Sequence, residues 1–211
     1  MKASSTTFTI LLAGPVMITE RLRAQTHGTR VIAADGGIHH AQALGLTPEL
    51  WVGDFDSAEP EDGRNFPAMK RQAYPTDKNA TDGALAIEEA LNRGATRLIL
   101  VGAFGGRTDH TFALLAHACA LARTGMDVLL SSGNEEGIPL SPVLRTFDYA
   151  DGTQFSVLAF TDLEGLTLSG ARWPLDAITM KFGDTLTISN EVAGALRADL
   201  TKGTALLVAS L

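Results

Sequence analysis

The sequence predicts an α/β domain with a mostly parallel sheet, followed by an antiparallel β-sandwich. The length of 211 residues accommodates one domain or two small ones, and 45% hydrophobic with 19% charged residues is typical of a folded protein. Short apolar runs alternate with helical periodicity up to about residue 132, and short β-prone segments separated by turns follow. We therefore expect an α/β domain over residues 1–132 and a sandwich over residues 133–211.

Six apolar runs of the first part are predicted to be strands, and several are separated by segments with a 3.6-residue apolar period. This βαβ order is typical of a parallel sheet covered by helices on both faces. Thr81 can cap the clearest helix and Gly94 can end it, while a second helix is predicted from about Thr108 to Arg123. The predicted strands are 8–13, 30–34, 50–52, 70–74, 97–101 and 127–130.

The second part is predicted to consist of short antiparallel strands. Turn signals such as "ADGT", "KFGD" and "TKG" separate its β-prone segments, which is the pattern of a sandwich. The predicted strands are 143–148, 153–160, 164–169, 178–181, 185–189 and 203–209.

The charge balance bears on the class of partner. The formal net charge is −7, and only 17 Lys and Arg residues are spread along the chain. Binding to nucleic acid needs a basic stripe that neutralises phosphates, so we expect no DNA or RNA partner. An anionic ligand must then be held locally, by a few arginines, by backbone N–H groups or by a divalent cation on carboxylates.

The cysteine and the apolar start bear on the compartment. Cys119 is the only cysteine, which excludes an intrachain disulfide and fits a reducing, cytoplasmic environment. It shares a helical face with Phe112 and Leu115, which favours a buried structural thiol over a nucleophile. The start "FTILLAGPVMI" is too short to span a bilayer, is broken by Gly14 and Pro15, and lacks a signal-peptide cleavage pattern. We expect a buried first strand and no membrane association.

Unusual polar clusters follow four of the predicted strands. Ligands of open parallel sheets bind beyond the carboxyl ends of the strands, so the four loops are expected to converge on one rim. The clusters are "VIAADGG" with Asp35, Gly36 and Gly37; "LWVGDFDS" with Asp54 and Asp56; "YPTDKNATD" with Asp77, Lys78, Asn79, Thr81 and Asp82; and "LILVGAFGGRTDH" with Gly102, Gly105, Gly106, Arg107, Asp109 and His110.

The residue types at this rim are those that hold a metal ion and phosphates. Asp54 and Asp56 are two residues apart, so on an extended chain both side chains point the same way. Several carboxylates at one point need a hard cation among them, and Mg²⁺ takes one or two carboxylates plus phosphate oxygens. The run "GAFGGR" offers backbone N–H groups at a helix N-terminus, and Arg107 can make paired hydrogen bonds to a phosphate.

Each of these features also has a purely structural interpretation. Asp35 before two glycines could be a turn residue, Asp54 or Asp56 could cap a helix, and Asp109 could stabilise a first helical turn. A DxD pair also occurs in metal-dependent glycosyltransferases. The glycine run matches neither the Walker nor the dinucleotide pattern. Their combination at one sheet edge favours a functional site.

The histidines are weaker signals. His110 favours a hydrogen-bonding role over metal ligation, because no second histidine lies at ligand spacing from it. The pair His39-His40 is predicted to start a helix.

Together, "AADGG", "GDFDS", "TDGALAIEEAL" and "GAFGGRTDH", in this order and spacing, resemble the thiamin pyrophosphokinase family. "LSGARWPL" and "TISNE" look like the thiamin-binding segments of that family, so the resemblance covers nearly the whole chain. It implies a Rossmann-like α/β domain followed by a β-sandwich, assembled as a homodimer with active sites at the subunit interface. The implied reaction converts thiamin and ATP, with Mg²⁺, to thiamin diphosphate and AMP.

The resemblance also implies roles for individual residues. Trp173 suits the thiamin side, since a large aromatic face matches a flat pyrimidine and a cationic thiazolium, although a core tryptophan is the alternative. The implied catalytic residues are Asp54, Asp56, Asp82 and Arg107, the first three also as metal ligands. The implied ATP- and phosphate-binding residues are Asp35, Gly36, Gly37, Thr81, Gly105, Gly106, Arg107, Asp109 and His110. The implied thiamin-binding residues are Ser169, Trp173, Ser189 and Asn190.

The chain departs from the family pattern at one position. Many relatives have Lys-Asp-x-Thr-Asp where this sequence has Lys78-Asn79-Ala80-Thr81-Asp82. The amide oxygen of Asn79 can still bind a metal ion, but it brings no charge, and Asp77 could compensate from two residues earlier.

Three other functions are open at this stage. A pyrophosphokinase acting on another hydroxymethyl heterocycle, such as a pterin, would not bind thiamin around Trp173. A nucleotide-binding module without turnover would not need the set of Asp54, Asp56, Asp82 and Arg107. A glycosyltransferase would need an acceptor region longer than the second domain.

Overall fold

The computed structural model describes residues 6–55, 64–75 and 80–211, and the chain forms two compact units. The first unit extends to Thr111 and also contains Leu130–Gly133, whereas the second contains Phe112–Leu129 and Asn134–Leu211. The two units are therefore interleaved along the chain. The sequence predicts one boundary between the two domains, at residues 132 and 133, and this boundary stays a prediction.

The first unit contains a parallel sheet in the order β5-β1-β2-β3-β4. β1, β2, β3 and β5 are almost wholly buried because their apolar side chains pack on both faces. The edge strand "KRQA" is mostly exposed, and its two cations discourage pairing with another chain. The strands are β1 Thr7–Leu11, β2 Arg30–Ala34, β3 Leu50–Gly53, β4 Lys70–Ala73 and β5 Arg97–Val101.

Short helices connect these strands. The side chain of Thr81 caps α3 by accepting a hydrogen bond from the Ala84 N–H at 3.2 Å, and α3 buries Leu85, Ala86, Ile87 and Ala90. The helices are α1 Glu20–Thr26, α2 His39–Leu44, α3 Asp82–Asn92 and α4 Thr108–Arg123, with a 3-10 turn at Asp35–Ile38. The predicted strands and helices of this part are confirmed to within about two residues at their ends.

The second unit contains two antiparallel sheets around one apolar core. One sheet has the order β7-β13-β9 and the other β11-β10-β12-β8, and the first residues of β12 also pair with β9. Side chains from both sheets, among them Phe155, Leu168 and Leu207, belong to the same buried cluster. The strands of this unit are β7 Glu135–Leu140, β8 Arg145–Thr146, β9 Gln154–Ala159, β10 Leu163–Ala171, β11 Leu175–Met180, β12 Asn190–Asp199 and β13 Ala205–Ser210, whereas β6 Asp127–Ser131 is divided between the two units after Leu129. The predicted α/β domain followed by a β-sandwich is confirmed.

The sequence predictions for the second unit were wrong at two segments and missed two strands. Residues 185–189 form turns rather than a strand, and the Thr187 hydroxyl donates to the Val157 carbonyl at 2.5 Å. β7 was missed because Gly137 and Pro139 favour a loop, and β12 was missed because "EVAGALRA" has a helix-favouring composition. Only two residues of the predicted strand 143–148 pair as a strand, in β8.

Cys119 is a structural thiol, as predicted. It is buried in α4, and its Sγ lies 3.8 Å from the carbonyl oxygen of Ala205. Burial raises the pKa of Cys119 to about 12, so the thiol stays protonated and unreactive at neutral pH. Among the residues that the structure describes, no helix is both long and apolar enough to cross a membrane.

Candidate active site

The candidate site lies at the carboxyl ends of the parallel strands of the first unit. β2 lies on one side of β1 and β5 on the other, so the loops after β1 and β5 diverge, and such a switch point is where open α/β sheets bind ligands. The two loops touch through glycine backbones: a Cβ on Gly14 would lie 2.2 Å from the carbonyl oxygen of Gly102. Any other residue at position 14 would push the loops apart.

The glycine-rich loop leads into the longest helix. Gly105 and Gly106 are exposed, and α4 begins two residues later at Thr108. The first N–H groups of a helix have no partners within it, and together with the helix dipole they attract anions. The loop is therefore suited to hold phosphate oxygens through backbone N–H groups.

Arg107 is exposed and is held by a neighbouring carboxylate. Its Nε and Nη2 donate to the two carboxylate oxygens of Asp109 at 3.2 and 2.7 Å, and 72% of the Arg107 side chain is exposed. The hydrogen bonds from Arg107 lower the pKa of Asp109, and those same bonds raise the pKa of Arg107. The guanidinium lies directly after the glycine loop. A phosphate bound to the loop would compete with Asp109 for the hydrogen bonds of Arg107. His110 is exposed beside this pair.

Asp35 stands directly after β2 in a strained conformation. Its φ is +43°, in the left-handed region that costs a non-glycine residue roughly 1–2 kcal/mol. Two contacts hold it there: the Trp51 indole N–H donates to the Asp35 carbonyl oxygen at 2.9 Å, and Gly37 lies flat against β1. A Cβ on Gly37 would lie 2.1 Å from the Leu11 carbonyl oxygen, which explains a glycine at that position. Gly36 has no such restriction, because a Cβ there would make only ordinary contacts.

Asp54 follows β3 and is half-buried. The next residue, Phe55, has a φ of +60° and places its ring edge against the Trp51 ring, with 4.8 Å between centroids. Strained non-glycine residues tend to persist where a functional site requires them. Asp56 lies outside the described residues, so the expectation that it faces the same point as Asp54 stays a prediction.

Asp82 begins α3 and lies next to the capping residue Thr81. Thr81 is exposed and uses its hydroxyl oxygen to cap α3, so the role that the structure shows for Thr81 is a structural one. Asp82 is half-buried in the first helical turn, where a carboxylate is favoured by the helix dipole. Asp77, Lys78 and Asn79 lie outside the described residues, and the effect of the amide at position 79 is therefore untested.

The donor set of this rim has the chemistry of a hard-cation site. Asp35, Asp54 and Asp82 offer carboxylate oxygens, which Mg²⁺ prefers, together with the carboxylate of Asp56. Over residues 6–55, 64–75 and 80–211, no three acidic, histidine or cysteine side chains lie close enough to hold a metal ion by themselves. A complete set of protein ligands would thus need Asp56, or oxygens from a bound phosphate.

The residues expected on the thiamin side lie in the second unit. The Trp173 side chain is 54% exposed, so it is not a core residue, and the Arg172 guanidinium lies 5.0 Å from its ring centroid. Asn190 is buried and holds the Trp173 backbone, accepting from its N–H at 3.2 Å and donating to its carbonyl at 2.8 Å. Ser169 and Ser189 are exposed. Asn190 therefore orients an exposed aromatic face that can take a cation.

Sequence reasoning missed two residues that contact the rim. Trp51 was read as part of a buried strand, although an indole N–H in such a strand needs an acceptor and so signals a nearby polar group. His40 does lie at the start of α2, as predicted, but its Nε2 also donates to the Gly14 carbonyl at 2.9 Å. Burial lowers the pKa of His40, which keeps the ring neutral while it holds the loop after β1.

Comparison with known proteins identifies relatives over almost the whole chain. Residues 23–130 match the family model "Thiamin pyrophosphokinase, catalytic domain", and residues 144–202 match "Thiamin pyrophosphokinase, vitamin B1 binding domain". Thiamine pyrophosphokinase of Bacillus subtilis is 28% identical over 193 residues, which cover 88% of this chain and 89% of that protein.

Solved structures agree with the sequence comparison. The crystal structure of thiamine pyrophosphokinase from Bacillus subtilis matches with a TM-score of 0.85 and 26% identity, over 97% of this chain and 98% of that one. Yeast thiamin pyrophosphokinase has the same fold, with a TM-score of 0.79 at 13% identity over 99% of this chain and 87% of that one.

Proposed function

The chain belongs to the thiamin pyrophosphokinase family, and we infer that it transfers the pyrophosphoryl group of ATP to the hydroxyl group of thiamin, giving thiamin diphosphate and AMP. The observation that carries this inference is that a catalytic and a vitamin B1 binding model match the chain in tandem. The geometry supports it, because a glycine loop and acidic loops follow neighbouring strands at the switch point of a parallel sheet.

In the proposed reaction, the hydroxyl oxygen of thiamin forms a bond to the β-phosphorus of ATP. The bond between that phosphorus and the oxygen bridging to the α-phosphate breaks, and AMP leaves with the electron pair. The hydroxyl proton passes to a carboxylate, for which Asp54 and Asp82 are the candidates. Arg107 and the backbone N–H groups of Gly105 and Gly106 stabilise the negative charge of the phosphates, since such transfers depend mainly on positioning and charge neutralisation.

We propose Mg²⁺ as the metal cofactor, held by Asp54, Asp56 and Asp82. Carboxylate oxygens support this assignment, because they are the protein ligands that Mg²⁺ takes together with phosphate oxygens. When bound, the ion would neutralise charge on the triphosphate. Asp35, Gly36, Gly37, Thr81, Asp109 and His110 are proposed to line the ATP side.

On the thiamin side, we propose that the exposed face of Trp173 contacts the cationic thiazolium or the pyrimidine ring. Ser169 and Ser189 would supply hydroxyl groups beside it, while Asn190 fixes the Trp173 backbone. A cation over an indole face is favourable because of the negative potential of the ring, and Arg172 already takes such a position.

We also propose a homodimer with active sites at the subunit interface, working in the cytoplasm. Phe182, Leu186 and Ile188, which lie between β11 and β12, are 67%, 67% and 43% exposed. Several exposed large apolar side chains within one short segment are typical of interaction surfaces, which supports the dimer. The single free cysteine, Cys119, fits a reducing compartment.

The direct test is to incubate the purified protein with MgCl₂, ATP and thiamin, and to follow AMP and thiamin diphosphate by chromatography. Equal amounts of both products, formed only when thiamin is present, are expected. AMP without thiamin diphosphate would indicate hydrolysis or another acceptor, such as a hydroxymethylpterin. Removing divalent metal with EDTA is expected to abolish turnover, and added MgCl₂ is expected to restore it.

Asp54→Asn tests the acidic rim. It replaces a charged ligand with a neutral amide of the same shape, so turnover is expected to fall by about 100-fold or more while the circular dichroism spectrum stays that of the parent. Glu88→Gln is the matched control, because Glu88 is an exposed carboxylate on α3 of the same unit. Near-normal turnover of Asp54→Asn would remove Asp54 from the site.

A further inference from the structure

We propose that Trp51 is a positioning residue for the reaction, which sets the backbone at Asp35, after β2, and at Asp54 and Phe55, directly after β3. The proposal rests on the function inferred above. Trp51 lies on β3 and is buried, so it would act through the residues it contacts, Asp35 and Phe55.

The first contact joins Trp51 to the loop after β2. The indole N–H donates to the carbonyl oxygen of Asp35 at 2.9 Å. Asp35 has a φ of +43°, which a residue with a side chain adopts only when its surroundings hold it there. The hydrogen bond is therefore one of the restraints that keep the Asp35 backbone, and with it the carboxylate, in place.

The second contact joins Trp51 to the loop after its own strand. The Phe55 ring meets the Trp51 ring edge-on, with 4.8 Å between centroids and 75° between planes. Phe55 is also left-handed, with a φ of +60°, and it directly follows Asp54. A single indole thus contacts both strained residues of the acidic rim.

The indole itself has little freedom to move. It is 1% exposed, and the Arg71 guanidinium from the neighbouring strand β4 lies 4.8 Å from its ring centroid. A leucine or phenylalanine would be equally apolar at this buried position, but neither has a side-chain N–H to donate. A role in packing alone would therefore not explain the indole N–H of Trp51.

The test is Trp51→Phe, which keeps an aromatic ring and removes the N–H. Affinity for magnesium α,β-methylene-ATP, in which the bond to be broken is inert, would be measured by calorimetry, and steady-state kinetics by product chromatography. We expect the Kd of the analogue to rise about tenfold and kcat/KM for ATP to fall about tenfold or more, with the KM for thiamin within about twofold of the parent.

Thr26→Val is the matched control. Thr26 is a buried residue of the same unit, and its hydroxyl also donates to a backbone carbonyl, that of Leu22 at 2.9 Å, but it lies in α1 away from the acidic loops. The control removes one buried hydrogen bond of the same unit and should keep the parent's ATP parameters. A Trp51→Phe protein with ATP parameters within about twofold of the parent, or an equal loss in the Thr26→Val protein, would overturn the proposal.

The two readouts separate this proposal from the proposed function. If the parent binds the analogue but makes no thiamin diphosphate, the proposed function fails, and a weaker Kd in Trp51→Phe still supports positioning. A parent that binds no analogue would overturn the positioning role, because there would be no nucleotide site for Trp51 to shape.

Discussion

Arg107 is proposed to bind phosphate, and its surroundings indicate that it contributes little to the fold. It is mostly exposed and bonded to an equally exposed Asp109, and exposed ion pairs contribute little to stability. Its planar guanidinium can bind two phosphate oxygens at once, which a lysine cannot do. The ion pair with Asp109 holds the Arg107 guanidinium at the end of the glycine loop.

Arg107→Lys is therefore expected to lower kcat/KM for ATP by about 100-fold while the midpoint of thermal unfolding stays unchanged. The measurements are steady-state kinetics and calorimetry. Arg123→Lys is the control, because Arg123 is an exposed arginine at the opposite end of the same helix. If both variants kept parental kinetics, Arg107 would have no part in phosphate binding.

At the scale of single residues, the sequence identified the charged side chains of the rim. It did not identify the backbone conformations and contacts that position them. Asp35, Asp54, Asp82 and Arg107 could be selected because each follows a predicted strand or begins a predicted helix. The left-handed conformations of Asp35 and Phe55, and the indole bond that supports one of them, depend on tertiary contacts that no local pattern encodes.

Helix α3 is the element that carries one acidic residue of the rim in its first turn. The Thr81 cap satisfies the Ala84 N–H, and without it the first turn, which includes Asp82, would fray. Thr81→Ala is expected to lower the free energy of unfolding by about 1 kcal/mol, measured in urea, and to reduce turnover.

Thr81→Ser keeps the capping oxygen, so both stability and turnover should return to nearly parental values. A serine variant as stable as the parent but as inactive as the alanine variant would show that the threonine methyl group, and not the cap, matters for the site.

Element prediction succeeded where local pattern and tertiary environment agree. β2 and β5 are short apolar runs inside a parallel sheet, and their predicted ends match the structure. β12 reads as a helix by composition, yet the sheet buries Val192, Leu196 and Ala198 and so selects the strand. The turn at 185–189 was misread because its β-favouring threonines and isoleucine outweighed the turn signal.

At the scale of the whole molecule, the interleaving of the two units determines which fragments of the chain contain a complete second unit. Residues Phe112–Leu129, which include most of α4, belong to the unit that is otherwise built from Asn134–Leu211. Within that unit, Cys119 contacts Ala205, and the Phe112 ring stacks on the Phe160 ring with 6.0 Å between centroids. A cut at residue 133 would separate these partners.

A fragment spanning residues 134–211 is therefore expected to unfold at a lower urea concentration than a fragment spanning residues 112–211, because the shorter one exposes the apolar surface that the helix covers. Circular dichroism in a urea series would measure both midpoints. Equal midpoints would show that α4 contributes nothing to the second unit.

The last strand, β13, hydrogen-bonds to β7 on one side and to β9 on the other along its full length. β13 therefore joins β7 to β9, and both of these strands are synthesised before it. A premature stop codon before residue 205 would yield a chain with two unprotected strand edges, ready to pair with other copies. For the cell, chains truncated in this way would be an aggregation hazard rather than a source of partial activity.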